Sequence, residues 1–305
     1  MSAIEVSNLV KRYRDIVAVD GISLSVDEGE IFGICGPNGA GKTTLVECME
    51  GLRRPDAGKV TVLGADPVHA GAQLRRRVGV QLQSSLLPDQ IRVWEALDLF
   101  ASYYRRPVDW RGLLEEWGLA AKRHAAFADL SGGQQQRLFI ALALLNDPAV
   151  VFFDELTTGL DPRARRNTWA LVRQIQRRGV TIVLVTHDLA EAQQLCDRVA
   201  IVNRGRIVAL DRPAALVQQT VTEREGTLEE AFLSQGLGTD NVVGWPESHV
   251  DSPNSDLGEY APPSRSSGLD RAQRPPPATR SNYDNTHFIP TQALGGWWSP
   301  RWSPR

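Results

Sequence analysis

The stretch GPNGAGKTT, at positions 36–44, constrains the fold of this chain more than any other. It matches the pattern G-x-x-x-x-G-K-[ST] at Gly36, Gly41, Lys42 and Thr43. The apolar run EIFGICG leads into it, and the run TTLVECME, which is typical of a helix, follows. A glycine-rich turn between a strand and a helix directs backbone N–H groups and the positive end of the helix toward an anion. The stretch therefore predicts a phosphate-binding loop in an α/β core.

The residues of this loop have distinct roles in the prediction. Lys42 supplies a point charge for the β- and γ-phosphate oxygens of a nucleotide, and the hydroxyl of Thr43 can coordinate Mg²⁺. The backbone of the whole loop would face the phosphates. The candidate nucleotide-binding residues are Gly36, Pro37, Asn38, Gly39, Ala40, Gly41, Lys42, Thr43 and Thr44.

Two adjacent acids follow a second apolar run, in VVFFDELTTGLDP at positions 150–162. A carboxylate beside an apolar strand is costly to bury unless a partner balances its charge. A phosphate-binding loop of this kind needs a second Mg²⁺ support at the end of a neighbouring strand, and Asp154 fits that role. Successive residues of a strand face opposite sides, so Glu155 need not share the metal. A carboxylate beside the γ-phosphate can orient and polarise the attacking water, which makes Glu155 the candidate general base.

The chain before residue 236 alternates short β-branched runs with longer amphipathic stretches, which is typical of an α/β fold. The first 28 residues alternate apolar and polar positions, as antiparallel edge strands do. A block that begins near residue 85 has helical periodicity and predicts a helical insertion in the core. Further strands are predicted at 30–36, 149–155, 181–187 and 198–210, the last a hairpin that turns at Asn203–Gly205.

The composition changes sharply near residue 236. Residues 236–305 contain ten of the eighteen prolines, with serine and glycine between them and few aliphatic residues. Such a segment cannot bury enough surface to offset its chain entropy, so it predicts a disordered tail. The tryptophans near the end of the tail could form a short docking motif, and an extension without function is the plainer alternative.

The overall composition narrows the functional classes. A net charge of −2 argues against a nucleic-acid partner. The three cysteines are odd in number and lack metal-ligand spacing, which favours a reducing compartment over a disulfide framework. The N-terminus lacks the apolar segment of a signal peptide, and no apolar run approaches the roughly 18 residues that span a bilayer. We expect a soluble chain that reaches a membrane only through a partner.

Over residues 3–234, the ordered motifs resemble those of the ATP-binding subunit of ABC transporters. The run LSGGQQQR resembles the ABC signature, and VGVQLQ resembles the Q-loop. The run TTGLDP resembles the D-loop, and VLVTHD resembles the switch strand. The signature is far more diagnostic of this family than a phosphate-binding loop alone.

This resemblance implies further site residues. Gln83 would sense the metal and the attacking water, and His187 would contact the γ-phosphate and hold Glu155 or the water in place. Tyr13 would stack on the adenine ring, and Asp161 would lie at a dimer seam. Four signature residues would bind the nucleotide held by a second subunit: Ser131, Gly132, Gly133 and Gln134.

The resemblance also implies an architecture and partners. We expect an α/β fold, a P-loop NTPase core with an antiparallel β subdomain and a helical, signature-bearing subdomain at about 85–145. The ATP-binding domain would span residues 1–235. Two copies of the chain would sandwich ATP and Mg²⁺, and a separate transmembrane permease would hold the pair at the cytoplasmic, inner face of the cell membrane. Leu86, Leu87 and Trp94 are candidates for the permease contact, with packing in the subdomain core as the plainer interpretation.

Within the family, the runs after the phosphate-binding loop and the late TLEEAFL resemble the drug- and antibiotic-export branch of the daunorubicin type. The function implied is ATP hydrolysis that powers export of a small molecule through a separate membrane subunit. An importer ATPase shares every catalytic motif, and a soluble ABC ATPase without a transport role is a further alternative. Leu156 departs from the family, where a proline usually follows the catalytic glutamate, and the sequence offers no explanation for it.

Overall fold

The computed structural model describes residues 1–81, 87–104 and 107–218, together with Leu228. In chain order, the strands of this part of the chain are β1 (Ser2–Tyr13), β2 (Ile16–Asp27), β3 (Ile31–Cys35), β4 (Ala57–Val62), β5 (Val78–Gln81), β6 (Val150–Asp154), β7 (Thr181–Thr186), β8 (Arg198–Asn203) and β9 (Arg206–Asp211). Its α-helices are α1 (Lys42–Glu50), α2 (Gly71–Arg75), α3 (Val93–Ala101), α4 (Trp110–Glu116), α5 (Gly132–Ala143), α6 (Pro162–Arg177), α7 (Leu189–Leu195) and α8 (Pro213–Gln218).

A six-stranded sheet in the order β5-β6-β7-β3-β8-β9 forms the centre of the fold. The strands from β5 to β8 are parallel, and β9 returns antiparallel to β8. The hairpin turn contains Arg204 at φ 48° and Gly205 at φ 75°, two left-handed residues as a tight two-residue turn requires. The predicted α/β class is confirmed. The structure corrects one expectation, because β7 lies between β3 and β6, so Asp154 does not end a strand adjacent to the phosphate-binding loop.

A separate antiparallel sheet in the order β2-β1-β4 forms the predicted antiparallel β subdomain. The first 28 residues were expected to form antiparallel edge strands, and β2 is such a strand, but β1 is central because it pairs with β2 on one side and with β4 on the other. The alternation of apolar and polar residues in β1 arises because only one face of the strand packs on the core. One face of β1 is buried, with Ile4 and Val6 in the core, and the opposite face is exposed at Glu5.

Two hydrophobic clusters cover the two faces of the six-stranded sheet. Phe152 and Phe153 are consecutive in β6 and enter different clusters, as the alternation of a strand requires. Phe152 packs in the cluster that contains Leu45 of α1 and the buried face of the antiparallel sheet. Phe153 packs in the cluster that contains Leu138 of α5 and the buried residues of α3 and α4. The parallel strands are apolar on both faces because both faces are covered.

Two groups of predictions fall wholly or partly outside the described residues. Gln83 and Leu86 lie in the undescribed segment 82–86, and the predicted tail at 236–305 also lies outside. Leu87 and Trp94 are described, and both pack partly buried against the cluster of α3, α4 and α5. Core packing therefore accounts for the buried part of each side chain, and their contact with a permease stays a prediction. Among the described helices, none combines the length and the apolar character needed to cross a bilayer.

Candidate active site

The loop between β3 and α1 approaches two other backbone segments at distances that exclude a side chain. Gly36 has a φ of 149°, and an added Cβ would lie 2.0 Å from the carbonyl oxygen of Val202. Gly41 has a φ of 101°, and an added Cβ would lie 2.1 Å from the carbonyl oxygen of Ala18. Glycine is therefore required at positions 36 and 41 for two reasons. Another backbone segment lies too close for a side chain, and the φ angle is positive.

The N-terminus of α1 has the features of an anion-binding site. The cap residue Gly41 offers no side-chain bond, and the first turn contains no acidic residue. The backbone N–H groups of this first turn have no acceptor within the helix. The positive end of the helix dipole also lies at the first turn. Thr43 is exposed there and Thr44 is half-buried. This part of the loop can bind phosphate without any side-chain competitor.

The Lys42 side chain extends across the loop between β3 and α1. Its Nζ donates to the carbonyl oxygen of Gly36 at 2.8 Å and to that of Pro37 at 2.9 Å. Only 7% of the residue is exposed. Burial lowers the pKa of Lys42, and the nearby carboxylate of Glu155 acts against that shift. The cation is therefore held inside the loop, close to Asp154 at the end of β6 and to Glu155 directly after it.

Asp154 ends β6 at a position that disfavours its negative charge. Burial raises its pKa to about 6, Glu155 adds to that rise, and Lys42 opposes it. A divalent cation would relieve this charge, and a carboxylate with the Thr43 hydroxyl is an oxygen donor set that Mg²⁺ prefers. The described residues contain no group of three or more His, Cys, Asp or Glu side chains that could hold a metal. The Asp154 carboxylate and the Thr43 hydroxyl fit a Mg²⁺ ion that takes its other ligands from waters and substrate phosphates.

Glu155 leaves the strand in a left-handed conformation, with a φ of 51°. Strand alternation was expected to separate it from Asp154, but β6 ends at Asp154 and the turn decides where the Glu155 side chain points. The backbone N–H of Glu155 donates to the carbonyl oxygen of Val185 at 2.9 Å. Its carboxylate oxygen Oε1 lies 3.1 Å from Nδ1 of His187. The structure therefore brings the candidate base and the candidate switch histidine into contact.

The signature residues lie at the start of α5. Ser131 precedes the helix, and its backbone N–H donates to Oε1 of Gln134 at 3.0 Å. Ser131 and Gly132 are exposed. An added Cβ at Gly133 would lie 3.2 Å from the Cβ of Ala164, so the glycine allows α5 to approach the first turn of α6. The signature therefore presents an uncovered helix start beside α6.

Asp161 occupies the cap of α6, immediately before Pro162. Its Oδ1 accepts the backbone N–H groups of Arg163 and Ala164, both at 2.9 Å. These bonds, that of Ala164 first, lower the pKa of Asp161. Asp161 is exposed, and so is the start of α5. Asp161 caps α6, whose first turn contains the Ala164 that lies against Gly133. The two motifs thus share one region of the surface.

Tyr13 ends β1 and is half-buried. The guanidinium carbon of Arg53 lies 5.2 Å from the centroid of its ring, and the ammonium nitrogen of Lys11 lies 5.7 Å from it. Sequence reasoning missed both cations. The i, i+2 spacing of Lys11 and Tyr13 in a strand was an available signal, whereas Arg53 reaches the ring from beyond α1 and gave none.

Leu156 is fully buried, with 0% of its surface exposed, in the cluster that also contains Phe153 and Leu184. The residue that departs from the usual proline is thus a core side chain. It anchors the segment that leaves β6 directly after Glu155. The structure thus gives Leu156 a packing role that the sequence did not show.

A model of the family described as ABC transporter matches residues 19–158. The Nod factor export ATP-binding protein I of Rhizobium etli is 43% identical to this chain over 227 residues, which cover 72% of each protein. The residues matched by the family model include the phosphate-binding loop, Asp154 and Glu155.

Two solved structures resemble the fold. One is an ATP-binding subunit of an ABC transporter, with a TM-score of 0.69 and 27% identity, covering 77% of this chain and 100% of that one. The other is a dimeric ATP-binding cassette in a post-hydrolysis state, bound to ADP and Pi. It has a TM-score of 0.61 and 26% identity, and covers 68% of this chain and 98% of that one.

Proposed function

This chain belongs to the ABC transporter ATP-binding family, which is an ATPase family, and we propose that its ATP hydrolysis powers export of a small molecule through a separate membrane subunit. The observation that supports ATP hydrolysis is the contact between Glu155 and His187, next to the loop that holds Lys42. The relative from Rhizobium etli is named an export protein, which supports the direction of transport. The cargo class we propose is a drug-like or antibiotic-like molecule, from the sequence resemblance to that branch.

Binding of ATP would use the loop and the N-terminal sheet. The backbone of residues 36–44 and the ammonium of Lys42 would hold the phosphates, while the Tyr13 ring would stack on the base. Thr43 and Asp154 would hold Mg²⁺. When bound, Mg²⁺ neutralises charge on the β- and γ-phosphate oxygens.

Hydrolysis would use the two residues that meet beyond the strand ends. Glu155 would accept a proton from the water as its oxygen attacks the γ-phosphorus. The bond from that phosphorus to the bridging oxygen would break, and ADP and phosphate would be the products. His187 would keep the Glu155 carboxylate oriented through the 3.1 Å contact. Gln83, which lies outside the described residues, remains part of the proposal as the group that senses the metal and the water.

A second copy of the chain would complete each site. The exposed residues at the start of the signature helix and Asp161 would face the nucleotide of the other copy, since an uncovered helix start binds anions. The likeness to a dimeric cassette supports this arrangement. A permease would hold the pair at the inner face of the membrane. Two exposed apolar side chains near the end of α3, Leu99 and Tyr103, suit a contact with it.

The variant Glu155→Gln tests the assignment of the base and of the dimer together. The amide keeps the shape of the side chain but cannot accept the proton, so ATP turnover should be lost and an ATP-bound dimer should accumulate. Light scattering with ATP and Mg²⁺ measures the dimer, and phosphate release measures turnover. The matched control is Glu28→Gln, which makes the same change at an exposed position. Turnover at the wild-type rate in Glu155→Gln would show that Glu155 is not the base.

The direction and the cargo require the membrane subunit. We expect the complex with its permease, in inverted membrane vesicles, to accumulate daunorubicin as a probe when ATP is supplied, and the Glu155→Gln complex not to. ATP-dependent loss of the probe from the vesicles would indicate import. An active complex that moves no probe in either direction would contradict the proposed cargo class.

A further inference from the structure

A second contact joins the two chain segments that carry the catalytic pair. Thr157 lies two residues after Glu155, and its hydroxyl donates to Oε1 of Glu191 at 2.7 Å. Glu191 lies four residues after His187, in α7. The indole N–H of Trp169, in α6, donates to the same oxygen at 3.1 Å. The segment after β6, helix α6 and the segment after β7 therefore meet at a single carboxylate oxygen.

This contact is buried, which distinguishes it from the exposed contact of the catalytic pair. Thr157 is 3% exposed and Glu191 is 1% exposed. A buried carboxylate is costly unless donors compensate for its lost hydration. The two donors provide that compensation, so separation of Thr157 from Glu191 would leave the carboxylate poorly bonded. The contact thus resists movement of one segment against the other.

A third contact joins α6 to the residue that caps α7. The guanidinium of Arg165, in α6, lies 3.1 Å from the carboxylate of Asp188. Asp188 caps α7 by accepting the backbone N–H groups of Ala190 and Glu191. This ion pair is partly exposed and therefore contributes less than the buried contact. Both contacts nevertheless hold the start of α7, and with it His187, against α6.

We propose that Glu191 is a positioning residue for ATP hydrolysis, and that its bond to Thr157 sets the separation of Glu155 and His187. This inference rests on the roles given to that pair under the proposed function. Glu191 would act through the chain and would not touch the substrate. The distance between the reacting groups is decisive, because a misplacement of about 1 Å can reduce a rate by about 10²-fold.

The variants Thr157→Val and Thr157→Ser form a matched test. Valine has nearly the shape of threonine and removes only the donor, while serine retains the donor. We expect Thr157→Val to lower kcat by about 10- to 100-fold, with the KM for ATP changed by less than about threefold, since the loop that binds the phosphates is untouched. Thr157→Ser, and Glu191→Gln with its amide oxygen as acceptor, should stay within about threefold of the wild-type kcat. Wild-type turnover in Thr157→Val, or equal losses in both Thr157 variants, would overturn the proposal.

A double-mutant cycle separates positioning from a general loss of stability. In a chain that already carries His187→Ala, the change Thr157→Val should reduce kcat little further, because the pair that it positions is gone. If the two substitutions reduced kcat independently, Thr157 would not act through His187, and the proposal would be overturned.

Amide hydrogen exchange provides a readout without ATP turnover. The N–H groups of residues 189–191 should exchange faster in Thr157→Val than in Thr157→Ser. Unchanged exchange would overturn the inference. Wild-type activity in His187→Ala would instead contradict the proposed function, so the two failures are distinguishable.

Discussion

Nδ1 of His187 lies 3.1 Å from Oε1 of Glu155, although 32 residues separate them in the chain. The contact forms because the two residues directly follow β7 and β6, which are adjacent parallel strands. Parallel strands end at the same edge of a sheet, so residues that follow neighbouring strands meet there. The bond from Glu155 N–H to Val185 then holds the turn against β7.

Replacement of His187 should affect turnover and leave nucleotide binding nearly intact. We expect His187→Ala to lower kcat by about 10²-fold, because the Glu155 carboxylate loses the partner that orients it. The KM for ATP should change by less than about threefold. Phosphate-release kinetics measure both constants. The control His124→Ala removes an exposed histidine and should behave as wild type. A loss confined to KM would indicate that His187 serves binding.

Two glycines of the loop allow a matched comparison. Gly39 and Gly41 both have left-handed φ values, of 77° and 101°, so alanine meets backbone strain at either position. Only at Gly41 does the added Cβ also collide with a backbone oxygen, that of Ala18, whereas nothing lies within 4 Å at Gly39. Gly41→Ala should therefore weaken ATP binding by more than about tenfold relative to Gly39→Ala, a difference of more than about 1.4 kcal/mol. Titration calorimetry measures it, and equal affinities would contradict it.

The raised pKa of Asp154 predicts a pH-dependent stability of the nucleotide-free protein. The folded carboxyl keeps its proton up to about pH 6, compared with an ordinary value of 3.8. The Asp154 carboxyl therefore favours the folded state most at low pH. The free energy of unfolding falls as the pH rises from about 4 to about 6. Asp154→Asn removes this cost, which we place at about 1–2 kcal/mol above pH 6 after allowance for partial exposure.

Thermal unfolding without nucleotide or Mg²⁺ measures the effect. The Tm of Asp154→Asn should exceed that of the wild type at pH 7.5, and the difference should shrink at pH 4.5. The exposed change Asp15→Asn serves as the control for loss of one charge. A difference in Tm that is independent of pH would show that titration of Asp154 is not its cause.

Leu156 should matter for stability more than for chemistry. Truncation of this fully buried side chain in Leu156→Ala leaves a cavity, and the free energy of unfolding should fall by about 2–5 kcal/mol. Leu156→Met nearly conserves volume and should cost less than about 1.5 kcal/mol. Denaturant unfolding measures both. A change of less than about 0.5 kcal/mol in Leu156→Ala would contradict the assignment of this residue to the core.

The chemistry of the chain could be predicted from its sequence because that chemistry is local. The loop from Gly36 to Thr43 needs only a strand before it and a helix after it, and both requirements are visible within a few residues. Apolar runs likewise indicated the parallel strands, and the hairpin at Asn203–Gly205 followed from its turn residues. The roles of Gln83 and of residues 236–305 remain predictions.

The relationships between distant segments were decided only by the tertiary structure. The insertion of β7 between β3 and β6, the burial of Leu156 and the bond from Thr157 to Glu191 depend on which surfaces pack together. Packing is a competition among the whole set of apolar surfaces, and no single stretch of sequence records its outcome. The sequence thus determined the family and the candidate groups for binding and cleaving a nucleotide. The fold decided which of them meet and which buried contacts keep them in place.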